Sequence, residues 1–213
     1  MQKSKILIAV TPGALLAGVV VSASPAKALV PLVDTLGGSL SGFPTGVTVK
    51  AQSFDTQSNA FVIKNVEVRV GSSSSGNKRF DLLIFDDNNG SPGASVAALG
   101  TFNVDFSTSS TLYETINIQG LSVNLIPSSR YYLVVRPQSG NSGFASVASG
   151  SCAVTPPTRP FTLSSSGSWN QDILLGVYNA LRIEAVDVPG PLSAVALAPL
   201  ALTISRIRKR YAQ

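Results

Sequence analysis

The stretch AFVIKNVEVRV at residues 60–70 decides the fold class of this chain. Its second half alternates between apolar and polar side chains, with Val66, Val68 and Val70 on one side and Asn65, Glu67 and Arg69 on the other. A period of two residues is that of a β-strand with one face in a core and one face in water. The stretch therefore predicts a strand that covers a hydrophobic core on one side.

Further runs of alternating or β-branched residues lie on both sides of this strand. They are VTVKAQSF (47–54), RFDLLIFD (79–86), LGTFNVDF (99–106), YETINI (113–118), RYYLVVRP (130–137) and ALRIEAV (180–186). Segments rich in Gly, Ser, Asn and Pro separate the runs, as turns do. No long stretch with a period of about 3.6 residues occurs between residues 47 and 186. The pattern predicts an all-β domain over residues 47–187, an antiparallel β-sandwich of jelly-roll-like type.

Residues 1–28 have the composition of an export signal. Lys3 and Lys5 precede a mostly apolar stretch from Ile6 to Val21, and Ala26 and Ala28 form a small-x-small cleavage site. This order predicts a helical signal peptide over residues 1–28 that is removed after Ala28. An uncleaved membrane anchor is the alternative, and both place the rest of the chain outside the cytoplasm. Residues 29–46 are predicted to be a linker.

Residues 188–213 consist of an apolar run followed by a basic tip. The run from Leu192 to Ile204 is 13 residues long. As a helix it would span about 20 Å, less than the ~30 Å of a bilayer core. Four cations follow, namely Arg206, Arg208, Lys209 and Arg210. Cations prefer the cytoplasmic side, so the pattern predicts a marginal membrane helix with the β domain outside. A buried core helix is disfavoured because the cations abut the run.

The charge distribution argues against a nucleic-acid partner. The net charge of +5 comes from the two ends, since Lys3, Lys5 and Lys27 lie at the start of the chain and the four cations of the basic tip lie at its end. Between them, nine basic residues face 11 acidic ones, which gives −2. A weakly acidic central region does not suit an anionic polymer.

The rarity of His and Cys excludes several kinds of site. There is no His and only one Cys, Cys152. This composition excludes a Ser–His–Asp triad, a Cys–His pair and a zinc site of ordinary ligands. Cys152 is expected to be inert, with an intermolecular disulfide as the alternative.

Residues 47–186 resemble the choice-of-anchor family of exported domains. The resemblance is carried by AQSFDTQSNAFVIKNVEVRV (51–70), by FDLLIFDDNNGSPGASVAALG (80–100) and by the YYLVV strand (131–135). It implies a β-sandwich without an assigned biochemical activity. Domains of this kind occur with different surface-anchoring tails.

The tail VPGPLSAVALAPLALTISRIRKR (188–210) resembles the PEP-CTERM sorting signal, and its cyanobacterial VPGP form most closely. The matching positions are Val188, Pro189, Gly190, Pro191, Ser205, Arg206, Arg208, Lys209 and Arg210. The common form has Glu where this chain has Gly190, so the resemblance leaves open which sorting enzyme reads the tail. It implies that a membrane enzyme of the exosortase type processes the tail and that the body reaches the cell surface or is released.

Asp86-Asp87-Asn88-Asn89-Gly90-Ser91-Pro92-Gly93 is the sharpest local motif in the domain. Its Asp86, Asp87 and Asn89 oxygens make it a candidate ligand loop, because Ca²⁺ prefers six to eight oxygen ligands. The spacing does not match an EF-hand, and no Glu follows at the twelfth position. Asn-Gly and Pro-Gly are turn formers, so a hairpin turn is favoured over a metal site and no metal ligand is assigned.

Aromatic residues offer a second candidate site. Stacking against sugar rings is one use of Tyr and Trp side chains, and Trp169 follows a flexible Ser-Gly run. Trp169 is therefore the candidate glycan contact, with packing at a core or edge as the alternative. A glycosidase would need two carboxylates that face one bond. Glu67, Glu114 or Glu184 could pair with Asp86 or Asp87, but the sequence does not bring them together, so no catalytic residue is assigned.

These observations predict an exported, non-enzymatic protein of the cell surface, outer envelope or extracellular matrix with a structural or adhesive role. Its expected partners are the exosortase-type enzyme, the membrane through the C-terminal helix and extracellular polysaccharide, and no cofactor is expected. A carbohydrate-binding module that uses exposed aromatic residues is the alternative. A glycan-active enzyme is the weaker one.

Overall fold

The computed structural model describes residues 27–42, 48–106, 113–138, 142–148, 152–172 and 177–188. The strands are β1 (Leu29–Asp34), β2 (Leu40–Gly42), β3 (Lys50–Asp55), β4 (Ala60–Ser72), β5 (Asn77–Asn88), β6 (Ser91–Asp105), β7 (Tyr113–Ile118), β8 (Val123–Leu125), β9 (Arg130–Pro137), β10 (Ser142–Phe144), β11 (Ser146–Ala148), β12 (Phe161–Leu163), β13 (Trp169–Gln171), β14 (Val177–Asn179) and β15 (Leu181–Val188). Neighbouring strands pair antiparallel in this part of the chain. The prediction of an all-β antiparallel fold is confirmed.

Strand β4, which contains the opening sequence motif, is the centre of one sheet. This front sheet has the order β1-β15-β4-β10, and β7 and β8 also pair with β4. The alternation noted in the sequence is realised, because Val66, Val68 and Val70 are fully buried. A small sheet of order β14-β11-β2 adjoins the front sheet at the end where β1 finishes.

The other large sheet has the order β13-β12-β3-β9-β5-β6. In a flat sheet, four strand spacings of about 4.8 Å would separate β13 from β5 by about 19 Å. Yet the ring centroids of Trp169 on β13 and Phe85 on β5 are only 6.4 Å apart. The sheet must therefore curl so that β13 approaches β5 and β6, and we name it the curled sheet.

The two faces of the curled sheet bury two different clusters. The main core lies between the front sheet and the curled sheet, and from the curled sheet it takes Phe54, Phe80, Leu82, Ile84, Tyr131, Leu133 and Val135. The second cluster lies inside the curl and contains Ala51, Tyr132, Val134 and Phe161, with Val49, Leu83, Phe85 and Trp169 packed against it. Strands buried on both faces lose their polar alternation, which explains the continuous apolar runs in β5 and β9.

The segment 29–46 differs from the linker that the sequence predicts. Strand β1 pairs with β15 along the edge of the front sheet, and β2 pairs with β11. Val33 is fully buried in the main core, and the Thr35 hydroxyl donates to the carbonyl oxygen of Asn179 at 2.6 Å. Pro31 is compatible with a strand here because β1 is an edge strand whose register shifts next to it. Leu29–Gly42 is therefore part of the fold.

The predicted flanking helices fall outside the described residues, apart from Lys27, Ala28 and Val188 at their inner ends. Within the described ranges, no helix meets the length and apolarity needed to cross a membrane.

Candidate functional site

The DDNNGSPG motif forms the hairpin between β5 and β6. Asn88 pairs with Ser91, which leaves Asn89 and Gly90 as the two turn residues. Both have positive φ, 52° and 85°, the requirement of a type I′ turn. Asn and Gly are the residues that adopt this conformation at least cost, so the Asn-Gly pair fixes the register of the two hairpin strands.

The carboxylate of Asp87 is used within the domain. One oxygen accepts from the Tyr132 hydroxyl at 2.7 Å, and the other accepts from the backbone N–H of Gly90 at 3.1 Å. Tyr132 is fully buried in the second cluster. Burial first, and then the Asp87 carboxylate, raise the pKa of Tyr132 well above its usual range. Asp87 therefore ties the turn to the second cluster.

The neighbouring Asp86 supports the second strand of the hairpin. Its Oδ1 accepts from the backbone N–H of Ala94 at 2.6 Å. Gly93 allows this contact, because a Cβ at that position would collide with the same oxygen. Asp86 also lines the open surface beside the hairpin. Its carboxylate therefore contacts strand β6 and is accessible to solvent.

Trp169 approaches this hairpin from the other edge of the curled sheet. It begins β13 directly after the Ser164–Ser168 turn, in which Gly167 has a φ of 81°. Its ring is half-buried and meets the Phe85 ring edge-on at 82°. Because Phe85 precedes Asp86, this contact holds the indole beside the hairpin.

The hairpin and Trp169 enclose an open groove of about 660 Å³, which we name the Trp169 groove. Its lining residues are Asp86, Asp87, Asn88, Ser91, Pro92, Gly93, Ala94, Gly167 and Trp169. They provide one aromatic surface, two carboxylates, an amide and a hydroxyl, and no cation is among the described residues that line it. The groove is therefore suited to a ligand with both apolar faces and hydrogen-bond donors, and it disfavours anions.

A second depression of about 400 Å³ adjoins the groove through the shared Asp86 and Asp87. Its other lining residues are Ile126, Ser128, Ser129, Arg130 and Tyr131. Arg130 is paired with Asp55, with Nε 3.0 Å from Oδ1, and this hydrogen bond raises the pKa of Arg130. The cation is thus neutralised by its own partner.

The structure brings together site residues that the sequence suggested separately. Asp86 and Asp87 meet Trp169 in one groove, although they lie far apart along the chain. Asn89 lies at the exposed tip of the turn, where its amide donates to Asn88 Oδ1, and it does not line the groove. Ser91 belongs to the motif singled out in the sequence, whereas no sequence signal pointed to Arg130. Within the described ranges, no three metal-ligating side chains cluster.

The other carboxylates considered for catalysis lie on the front sheet. Glu67 and Glu184 line a small polar depression with Asn65, Asn117, Gln119 and Arg182. Glu114 is on β7 of the same sheet. Asp86 and Asp87 lie on the curled sheet instead. The three glutamates therefore do not face a common substrate bond with either aspartate.

Cys152 is half-buried beside Asp34. Burial first, and then the Asp34 carboxylate, raise the pKa of the thiol. A raised pKa keeps the sulfur protonated, which makes it a poor nucleophile.

Of the predicted processing residues, Ala28 is exposed directly before β1, and Val188 is the exposed last residue of β15. The other predicted processing residues lie outside the described residues, namely Ala26, Pro189, Gly190, Pro191, Arg206, Arg208, Lys209 and Arg210.

Comparison with known proteins adds no assignment, because no protein-family model matches the chain and no curated protein matches it significantly.

Proposed function

We propose that this chain is an exported, non-enzymatic protein of the cell surface or extracellular matrix whose β domain binds carbohydrate in the Trp169 groove. The observation that carries the proposal is the placement of Trp169 beside Asp86 and Asp87 in one open groove. Sugar rings have apolar C–H faces that stack on an indole, and hydroxyl groups that donate to carboxylates. The acidic lining favours neutral or amino sugars over uronic acids.

Export and sorting are supported by the ends of the chain. The signal-like residues 1–28 stop where β1 begins at Leu29, and the sorting-like tail starts at Val188, where β15 ends. Removal of both segments would leave every described strand in place, save the last residue of β15. We propose that an exosortase-type membrane enzyme processes the tail. For the fold, we propose that the sandwich has jelly-roll-like connectivity and that the flanking segments are helical.

The glycan-active enzyme has less support. Asp87 uses both carboxylate oxygens, and Asp86 uses one, in hydrogen bonds that hold the hairpin. A carboxylate whose geometry is fixed by the turn is suited to accept hydrogen bonds from a bound sugar. Proton transfer would also need a second carboxylate across the groove, and among its described lining residues there is no further acid.

A glycan array probed with residues 29–188 tests the binding proposal. We expect Trp169→Ala to abolish binding to the sugars that the wild-type protein binds. Trp169→Phe should preserve part of this binding because an aromatic ring remains. Gln119→Ala is the matched control, an exposed polar residue beside the front sheet. Equal binding by wild type and Trp169→Ala, with the same melting temperature, would refute the groove as the site.

A reporter that is active only outside the cytoplasm, fused after residue 188, tests export separately.

A further inference from the structure

Both ends of the β domain leave from one end of the sandwich. β1 and β15 are antiparallel neighbours, so the first residue of β1, Leu29, pairs with Val186 near the last residue of β15. In the unprocessed chain, the Lys27 ammonium donates to the Asp187 carbonyl at 2.6 Å, which holds the two ends together. The chain that precedes the domain and the chain that follows it therefore depart side by side.

Exposed apolar side chains collect at this same end. The described residues contain six large hydrophobic side chains that are exposed, and three of them are Leu29, Val30 and Val188 at the chain ends. A fourth, Ile126, is 65% exposed and follows Leu125 on β8. Leu125 pairs with Phe61, whose neighbour Ala60 pairs with Val188. We name Leu29, Val30, Ile126 and Val188 the terminal patch.

In the sequence, an apolar run follows the last residue of the patch, Val188, after a short interval. The run of 13 residues begins at Leu192, four residue steps after Val188. Four steps span at most about 14 Å when fully extended. A bilayer that holds the run must therefore lie within that distance of Val188.

We propose that the terminal patch is a lipid-facing surface that rests against the bilayer while the tail is inserted. This inference rests on the membrane role of the tail in the proposed function. It does not require carbohydrate binding, although Ile126 also lines the depression that adjoins the Trp169 groove. A membrane-inserted tail that leaves beside four exposed apolar side chains fits a bilayer interface, where such side chains lose contact with water. Val188 joins the patch directly to the inserted segment.

The test measures the depth of single positions in the full chain. In a Cys152→Ser background, Ile126→Cys and Leu29→Cys are each labelled with an environment-sensitive fluorophore. Vesicles of phosphatidylcholine and phosphatidylglycerol carry a quencher on the lipid headgroup. Leu40→Cys is the matched control, because Leu40 is as exposed as Val188, at 38%, but lies on β2 in the small sheet at the opposite end.

We expect several-fold stronger lipid quenching at positions 126 and 29 than at position 40. Replacing Arg206, Arg208, Lys209 and Arg210 with Gln should weaken the quenching at both patch positions together. Equal quenching at all three positions on vesicle-bound protein would overturn the lipid-facing patch and leave the tail's role intact. Shielding of position 126 from aqueous iodide without vesicles would also overturn it, because the chain's own ends would then cover the patch. Failure to bind vesicles at all would overturn the membrane role of the tail as well.

Discussion

The two faces of the curled sheet place adjacent residues in different surroundings. On β9, Leu133 belongs to the main core, which lies under the front sheet. Its neighbour Val134 belongs to the second cluster, whose described members all lie on strands of the curled sheet. Phe85 and Trp169 remain half-buried at the mouth of that curl, beside the groove.

This difference separates stability from the candidate function. The main core collects most of the fully buried large side chains and holds the two sheets together. The second cluster is smaller, and its outermost members support the groove rather than a second sheet. Substitutions on the main-core face of the curled sheet should therefore lower the free energy of unfolding. Substitutions at the outer edge of the second cluster should mainly affect binding.

The largest expected effect tests this separation directly. Leu133→Ala removes a fully buried side chain from the main core and should lower the free energy of unfolding by about 2–5 kcal/mol. Glycan binding by the molecules that remain folded should not change. Urea denaturation gives the first quantity, and titration below the melting temperature gives the second.

Phe85→Ala is the counterpart on the other face. Phe85 is half-buried, so the loss of stability should be smaller, about 1–2 kcal/mol. Binding should weaken several-fold, because Trp169 loses the ring that positions it. If Phe85→Ala matched Leu133→Ala in destabilisation and left binding unchanged, the two faces would not differ in the way we describe.

The hairpin sharpens the comparison, because the groove also depends on backbone conformation. Gly90 has a φ of 85°, which a β-branched residue adopts only with strain. Gly90→Val should cost about 1–3 kcal/mol and weaken binding. Gly90→Asn is the control, since Asn tolerates this conformation and should cost less. Equal destabilisation by the two variants in urea denaturation would show that the turn conformation carries no such strain.

The long strands could be predicted from the sequence because each carries its own signal. Alternation in β4 and the Asn-Gly turn after β5 are local patterns with direct structural meaning. Which of the two faces each apolar residue of β5 and β9 covers was not predicted, because a continuous apolar run has no polar side to mark the solvent. Tyr131 and Tyr132 show this, since they are neighbours on β9 and both are buried, in different clusters.

The groove could not be predicted, because it depends on how the sheet closes. No local pattern specifies that β13 approaches β5 across four strand spacings. The short strands escaped prediction for a related reason, since three-residue segments such as β12 and β13 are too brief to show a period. The strand β1 was not predicted, because Pro31 interrupts the strand pattern and only the pairing with β15 reveals it.

The smallest expected effect concerns the bond that connects the second cluster to the groove wall. Tyr132→Phe removes the hydroxyl that donates to Asp87 and should cost about 1 kcal/mol near neutral pH. The fold raises the pKa of Tyr132 above its ordinary value of 10.0, first through burial and then through Asp87. The unfolded chain therefore loses this proton at a lower pH than the folded chain does.

The sign of the pH dependence follows from that shift. The stabilisation from Tyr132 is complete below about pH 10, the pKa of an unfolded tyrosine, and is lost as the pH rises above it. Above about pH 10, the unfolding free energy of the wild type should fall more steeply than that of Tyr132→Phe, because only the wild type has this proton to release on unfolding. Urea denaturation at successive pH values should show the two curves converging. Parallel curves would mean that the Tyr132 hydroxyl is not held neutral by Asp87 and the second cluster, and the link between that cluster and the Trp169 groove would have to be abandoned.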